Sequence, residues 1–470
     1  MAKPVNKKRT EMPAQDPKVR AHNFNEVATG YTEADARAEA DRCLQCKKRN
    51  CTEGCPVEVP IPEFIAAVQK GDYPTAFRTI MSKNLLPAIC GRVCPQETQC
   101  ESFCTLGKVK GSEPVAIGRL ERYVADWGRE HAPPDHTACP MTNGIKVAVI
   151  GAGPAGLTCA GELARLGYEV TVFEAFHKLG GVLTYGIPEF RLPKAIVQKE
   201  VQNLTCVGVK FALNQVMGKA LDVNDLMKKG YKAVFVGVGA GLPVFMKIPG
   251  VELNGVLSAN EFLTRVNLMK AYKFPEADTM VDIGKHVAVV GGGNVAMDSA
   301  RTALRLGGDE VMVIYRRSEE EMPARREEYH HAVEEGIKFL FLTNPTKILG
   351  NADGHVNGIE VQSMTLGEPD RSGRRRPVVV PGSEKTIPVD LVIMAIGTQA
   401  NPLFTKVTPG LKLNEWGYIE VNDRMQSSLP YLFAGGDIVT GSATVISAMA
   451  AGRKAAASMH EYLQSLKGKL

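Results

Sequence analysis

Two strand–glycine-turn–helix units, starting at Lys146 and Lys285, and a helical stretch in front of them crowded with cysteine predict an α/β protein of several domains. Its N-terminal part reads as an α-helical domain and the remainder as two Rossmann-like, doubly wound domains. A length of 470 residues agrees, because single cores stop growing at roughly 250 to 300 residues. A hydrophobic content of 44% fills such cores, and 46 glycines suit a protein rich in tight turns.

From residue 31 to 130 the pattern is helical with loop interruptions. The run from Tyr31 to Arg42 leads into Cys43, and Ile61 to Gln69 and Tyr73 to Met81 have the spacing of amphipathic helices. Eight of the eleven cysteines lie between positions 43 and 104. The first group is Cys43, Cys46, Cys51 and Cys55, followed by Pro56; the second is Cys90, Cys94, Cys100 and Cys104, with Pro95 after Cys94. Such spacings suit iron–sulfur loops, which draw thiolates from several turns of backbone. Zinc would use the same residue types, and disulfides are a third reading. Nothing in the sequence suggests export, and the motifs downstream favour clusters. Taken by spacing alone, the eight thiols fall into two sets of four. Residues 128 to 144, with three prolines, read as a linker.

The net charge of +5 is small for this size, and the basic residues near the start (Lys3, Lys7, Lys8, Arg9, Lys18, Arg20) read as a solvated tail. They lack interleaved aromatics, so nucleic acid is not an expected partner. No continuous apolar run suggests a signal peptide or a membrane span, which implies a reducing cytoplasm.

The first glycine unit is Lys146-Val-Ala-Val-Ile-Gly151-Ala-Gly153-Pro-Ala-Gly156. Gly151 permits the turn, Gly153 lets backbone approach a pyrophosphate, and Gly156 lets the helix pack on its strand. Glu174, 23 residues beyond Gly151, closes the next strand where a carboxylate bonds ribose hydroxyls. The second unit carries Gly291, Gly293, Asn294 and Ala296, with Ala296 in place of the third glycine. Its next strand ends in Arg316-Arg317, where guanidinium groups can pair with a 2′-phosphate, so this unit should prefer NADPH. Near the C-terminus, Tyr431-Leu-Phe-Ala-Gly435-Gly436-Asp437 followed by a small-residue helix returns the chain to the first domain. The expected organisation is residues 1–140 helical with the clusters, 145–282 and 398–470 a discontinuous FAD domain, and 283–397 an inserted NADPH domain.

The chain resembles the small subunit of NADPH-dependent glutamate synthase and its relatives, among them the large subunit of NADH-dependent ferredoxin:NADP oxidoreductase and a module of dihydropyrimidine dehydrogenase. The stretches that carry the resemblance are Ala40-Asp-Arg-Cys-Leu-Gln-Cys, Leu86-Pro-Ala-Ile-Cys-Gly-Arg-Val-Cys-Pro-Gln-Glu, Val115-Ala-Ile-Gly-Arg-Leu-Glu-Arg-Tyr, the string Gly180 to Lys194, and Ala434-Gly-Gly-Asp. The resemblance implies FAD, NADPH and two [4Fe-4S] clusters with interleaved ligands. Cys43, Cys46, Cys51 and Cys104 would hold one cluster; Cys55, Cys94, Cys100 and Glu121 would hold the other, leaving Cys90 spare. It also implies that Tyr185 to Lys194 line the flavin, with Gly181, Arg191, Gly436 and Asp437 among the FAD residues.

NADPH gives two electrons as hydride and clusters carry one, so FAD would stand between them, and no acid–base side chain is needed for the hydride step. The chain shows no N-terminal cysteine amidohydrolase and no room for a barrel of about 250 residues, so a partner must take the electrons. The implied assembly is a hetero-oligomer with a second flavoprotein, ferredoxin among the acceptors, or with the glutamate synthase large subunit. The opening Glu11-Met-Pro-Ala-Gln-Asp-Pro-Lys-Val-Arg-Ala-His-Asn-Phe and Asn84-Leu-Leu-Pro-Ala-Ile favour the ferredoxin:NADP enzyme. A disulfide oxidoreductase would need a paired-cysteine motif after Lys146, which is missing, and a zinc scaffold would be colourless. Cys159 and Cys206 read as small buried hydrophobes, and His330-His331 as an ordinary helix pair whose side chains diverge.

Overall fold

The computed structural model describes residues 6–131, 141–370 and 373–466. The first lobe is helical. Thr32 and Asp35 form a capping box that starts α1 (Glu33–Ala40). Helices α2 (Ile61–Lys70) and α3 (Tyr73–Met81) each place proline in the first turn, where a missing N–H removes no helical bond. Helix α4 (Pro87–Val93) crosses α5 (Ile117–His131) so closely that a Cβ on Gly91 would lie 2.6 Å from the Arg122 amide nitrogen. Glycine is what allows that approach. The buried side chains of this lobe, Phe64, Ile65, Leu86, Ile89 and Leu120, share one core with Leu183, Leu192, Ile196 and Met449 of the next.

The second lobe is a parallel sheet of β1 (Lys146–Ile150), β2 (Glu169–Phe173), β3 (Lys210–Ala212) and β4 (Tyr231–Val236), with helices α6 (Pro154–Arg165) and α7 (Lys194–Cys206). The third lobe is another parallel sheet, of β5 (Val256–Ser258), β6 (His286–Val290), β7 (Glu310–Ile314), β8 (Lys338–Leu340) and β9 (Leu391–Met394), with α8 (Asn294–Arg305) and α9 (Arg326–Glu334). Strand β10 (Leu432–Ala434) then pairs with β4, giving the first sheet the order β10-β4-β1-β2-β3, and α10 (Val445–Ser465) packs against α6. Both sheets are buried on two faces, which explains their unbroken apolar strands such as Leu391–Met394.

Three expectations are corrected. The third lobe takes in β5 and so begins well before residue 283; the chain crosses at a short antiparallel ribbon of Leu242–Pro243 with Thr398–Gln399. The stretch read as linker begins inside α5, where Gly128 faces the Phe77 ring, and residues 132–140 lie outside the described residues. The basic N-terminal residues are not all a solvated tail. Arg9 bonds Glu101 of the same lobe at 2.9 Å, and Arg20, 2% exposed, bonds the buried Glu335 of the third lobe at 3.0 Å and also pairs with Glu334; the buried carboxylates need countercharge. Lys3 lies outside the described residues.

Candidate redox sites

Cys43 and Cys46 follow the end of α1, Cys51 sits in the one-turn helix Asn50–Glu53, and Cys104 precedes the 3-10 turn Thr105–Lys108. All four are half-buried. Burial raises the Cys43 thiol to about 11, with Cys104 and Cys46 adding to the shift, and raises Cys51 to about 12, with Cys43 and Cys104 adding. Thiols that act on one another electrostatically in this way form one group, although Cys104 is far from the others in sequence.

A second group faces a cavity between the helices. Its wall includes Cys55, Cys94, Cys100 and Glu121, closed by Phe64 and by Ile446 from the first turn of α10. Burial raises Cys55 to about 11 and pushes Cys100 well up; Cys94 is raised by its hydrogen bond with Cys90 and then by burial. Burial also lifts the Glu121 carboxyl to about 7, against the Asn84 amide, whose Nδ2 donates to Glu121 Oε1 at 2.8 Å. A buried carboxylate held only by a neutral amide is costly unless a cation completes the site. Cys90 is buried but does not line this wall; its Sγ lies 3.7 Å from Asn84 Oδ1 and 3.5 Å from Met449 Sδ.

Thiolates drawn from several turns of backbone suit an iron–sulfur cluster, and zinc would use the same residue types drawn to about 2.3 Å. A cubane spreads the same ligands around a larger body. The ten described cysteines are free thiols, which leaves them available as ligands. Cys159 is buried as expected; Cys206 is only half-buried, because it ends α7.

In the second lobe Gly151 has φ +99°, and a Cβ on Gly156 would collide with the Gly151 carbonyl. Gly156 therefore serves packing, while nothing approaches the position of a Cβ on Gly153 within 4 Å and its face is open. A Cβ on Gly181 would lie 2.9 Å from Gly153 Cα, so these two glycines form one wall. Glu174 accepts from the amides of Ala152 (2.8 Å) and Phe176 (2.9 Å), which orients its carboxylate beside the glycine turn. Gly436 has φ +78°, and Asp437 accepts from the Ala443 amide at 3.3 Å. Tyr185 is raised to about 12 by burial and then by the charges of Asp437 and Glu174. The arrangement fits a flavin dinucleotide along α6.

The string Tyr185 to Lys194 also makes contacts away from the glycine turn. The Arg191 guanidinium bonds Asp298 of α8 at 2.7 Å and meets Glu328 of α9 at 3.0 Å, so in this structure it joins the second lobe to the third. Lys194 donates to the carbonyls of Ile187 and Leu192, both at 2.7 Å.

In the third lobe Gly291 has φ +141°, Gly293 is open, Ala296 is buried on the inner face of α8, and Asn294 Oδ1 accepts from the Arg325 amide at 2.8 Å. Arg316 is exposed at the end of β7. Arg317 is buried, bonding Asp370 at 2.7 Å and the Arg375 carbonyl at 2.8 Å. Its guanidinium is held beside the antiparallel pair of strands Val356–Pro369 and Arg375–Val379, and Arg316 is the exposed one of the two. His330 and His331 lie on α9, outside any metal group among the described residues. Sequence reasoning missed Asn84, since nothing local pairs an asparagine with a glutamate 37 positions later.

Comparison with known proteins agrees. The family model for dihydropyrimidine dehydrogenase domain II, 4Fe-4S cluster, matches residues 20–133, and that for pyridine nucleotide-disulphide oxidoreductases matches residues 145–452. The glutamate synthase [NADPH] small chain of Escherichia coli is 39% identical over 98% of both chains. The β subunit of the NADP(+)-dependent formate dehydrogenase of Moorella thermoacetica is 40% identical over 88% of this chain and 60% of its own. Mycobacterium tuberculosis FprA in complex with NADPH shares the fold, with a TM-score of 0.59 at 21% identity over 69% of this chain and 86% of its own. Among the described residues no helix is long and apolar enough to cross a membrane. The chain belongs to the glutamate synthase [NADPH] small chain family and is an iron–sulfur, FAD- and NADPH-dependent oxidoreductase.

Proposed function

We propose that the chain is the NADPH-binding subunit of a hetero-oligomer in a reducing cytoplasm, moving electrons between NADPH and a partner redox subunit. Bound FAD supplies the exchange between hydride and single electrons, and bound clusters supply one-electron transfer. Cys43, Cys46, Cys51 and Cys104 hold the outer cluster; Cys55, Cys94, Cys100 and Glu121 hold the inner one. Gly151 and Gly153 admit the FAD pyrophosphate at the start of α6, where the helix favours anions. Gly181 narrows that wall, Glu174 accepts from ribose hydroxyls, and Gly436 and Asp437 meet the ribityl and phosphate side. Gly291, Gly293 and Asn294 receive the NADPH pyrophosphate, and Arg316 receives the 2′-phosphate.

The observation that carries this reading is the shared wall between the inner thiols and the flavin lobe. Ile446 closes the cavity, and Gln99 Nε2 donates to Thr444 Oγ1 at 3.4 Å just after the Asp437 turn. Single electrons then need no movement of lobes.

The finer reading is the large subunit of an NADH-dependent ferredoxin:NADP oxidoreductase, supported by the strings at Glu11 and Asn84. A glutamate synthase small subunit is the second reading, favoured by the end-to-end match to the E. coli chain. Anaerobic purification from the native host with mass spectrometry of what co-purifies tests both. A small ferredoxin-reductase-like flavoprotein supports the first, a large glutaminase and FMN-barrel subunit supports the second, and a monomer with no redox partner overturns the reading.

A further inference from the structure

Two side chains compete to be the fourth ligand at the inner site, and one buried amide touches both. Asn84 is 0% exposed in the loop between α3 and α4. The Leu86 amide donates to its Oδ1 at 2.9 Å, so the acceptor end faces the start of α4 and the NH2 end faces away. That end donates to Glu121 Oε1 at 2.8 Å, and Glu121 lines the cavity. Turning the amide over would set N–H against N–H and carbonyl against carboxylate in a buried place, so this orientation is fixed.

Cys90 meets the other end of the same amide. Its Sγ lies 3.7 Å from Asn84 Oδ1 and 3.5 Å from Met449 Sδ on α10, off the wall that Cys55, Cys94, Cys100 and Glu121 make. Cys90 is still within reach, because it lies one turn before Cys94 on α4, and residues four apart on a helix share a face.

We propose that Asn84 is a positioning residue that selects the Glu121 carboxylate over the Cys90 thiolate as fourth ligand of the inner cluster. The inference rests on the iron–sulfur reading above. Without the Asn84 donor, ligands exchange: the iron–oxygen bond breaks, the Cys90 thiol passes its proton to the freed carboxylate, and an iron–sulfur bond forms. Charge and electron count are unchanged. Thiolate in place of carboxylate alters the cluster's potential and spectrum, because ligand identity tunes both.

The test uses anaerobically purified full-length protein, with iron counts, EPR of the dithionite-reduced state and redox titration. Wild type at about eight irons supports the underlying reading; a count well below eight sinks that reading whatever Asn84 does. Asn84→Asp keeps an acceptor for Leu86 and removes the donor. It should keep its iron and FAD while the inner cluster's EPR signal and midpoint move, Asn84→Asp with Cys90→Ser should lose about half the iron, and Cys90→Ser alone should match wild type. An unchanged signal and midpoint in Asn84→Asp, half the iron lost from it alone, or an altered signal in Cys90→Ser overturns the proposal. Should Asn84→Asp not fold, Glu121→Ala asks the same question: iron retained with a moved signal supports selection, and loss of half the iron overturns it.

Discussion

The two cysteine sets use the same residue type in opposite surroundings. The outer thiols, Cys43, Cys46, Cys51 and Cys104, are half-buried among exposed Leu44, Phe103 and Val109 and exposed Lys47 and Lys48. The inner wall of Cys55, Cys94, Cys100 and Glu121 is closed by Phe64 and Ile446 and backed by the crossing of α4 and α5. Exposure and hydrogen bonding tune cluster potentials, so the two sites should differ in potential even if their iron content is the same. The outer set is the one a partner protein can approach, and the inner set is the one the flavin lobe touches.

The largest effect should come from breaking the inner set. Cys94→Ser should lower the iron count from about eight to about four and cut NADPH-driven reduction of a one-electron dye on the order of 100-fold, with flavin reduction by NADPH kept. Cys46→Ser should lose the same share of iron and leave the thermal midpoint almost unmoved, because its site lies near the surface. Iron analysis, dye assay and thermal denaturation together check the contrast. If Cys46→Ser destabilises the fold as much as Cys94→Ser, the comparison of a surface site with a core site is wrong.

A smaller effect concerns what holds the inner set against the third lobe. Arg92, between Cys90 and Cys94, bonds Asp126 at 2.8 Å and receives Arg325 on its carbonyl at 2.8 Å. Behind it, Glu328 is surrounded by Arg191, Arg301 and Arg325. Burial would raise Glu328, but Arg191 and Arg301 outweigh it and lower the carboxyl to about 2. A depressed carboxyl contributes stability above its unfolded value, near 4.3, that is lost as pH falls toward 2, here about 3 kcal/mol. Denaturant unfolding at pH 6 and pH 3 should show a little over half of that loss, roughly 2 kcal/mol, because pH 3 is still above the folded value, and Arg191→Met should lower stability at pH 6 and flatten the dependence. An unchanged slope in Arg191→Met would remove this network from the account.

The α/β class and the glycine turns were legible because a phosphate-binding turn leaves a local mark: Gly151 and Gly291 both need positive φ, and each follows a buried strand. The interleaving of Cys104 with Cys43 came only through family resemblance, since spacing favours two runs of four. The carboxylate partners of Arg191 and Arg317 were not legible. A guanidinium near a nucleotide motif looks the same in sequence whether it meets phosphate or a distant carboxylate, and Asp298 and Asp370 lie 107 and 53 positions away. The basic N-terminus failed in the same way, because Glu335 is 315 positions from Arg20.

The smallest effect sharpens the comparison through two glycines. A Cβ on Gly91 would sit 2.6 Å from the Arg122 nitrogen and 2.7 Å from its Cα, and backbone locked in α5 cannot yield. Gly91→Ala should therefore cost about 2 kcal/mol through overpacking beside Cys90. A Cβ on Gly54, between Cys51 and Cys55, meets the Phe103 ring at 2.6 Å, but that side chain is 45% exposed and can swing into solvent. Gly54→Ala should stay within about 0.5 kcal/mol. Equal losses in denaturant unfolding would mean that the outer site is braced as firmly as the inner one. Exposure alone would then not explain any difference in potential, and the explanation would pass to the carboxylate that Asn84 holds in the inner wall.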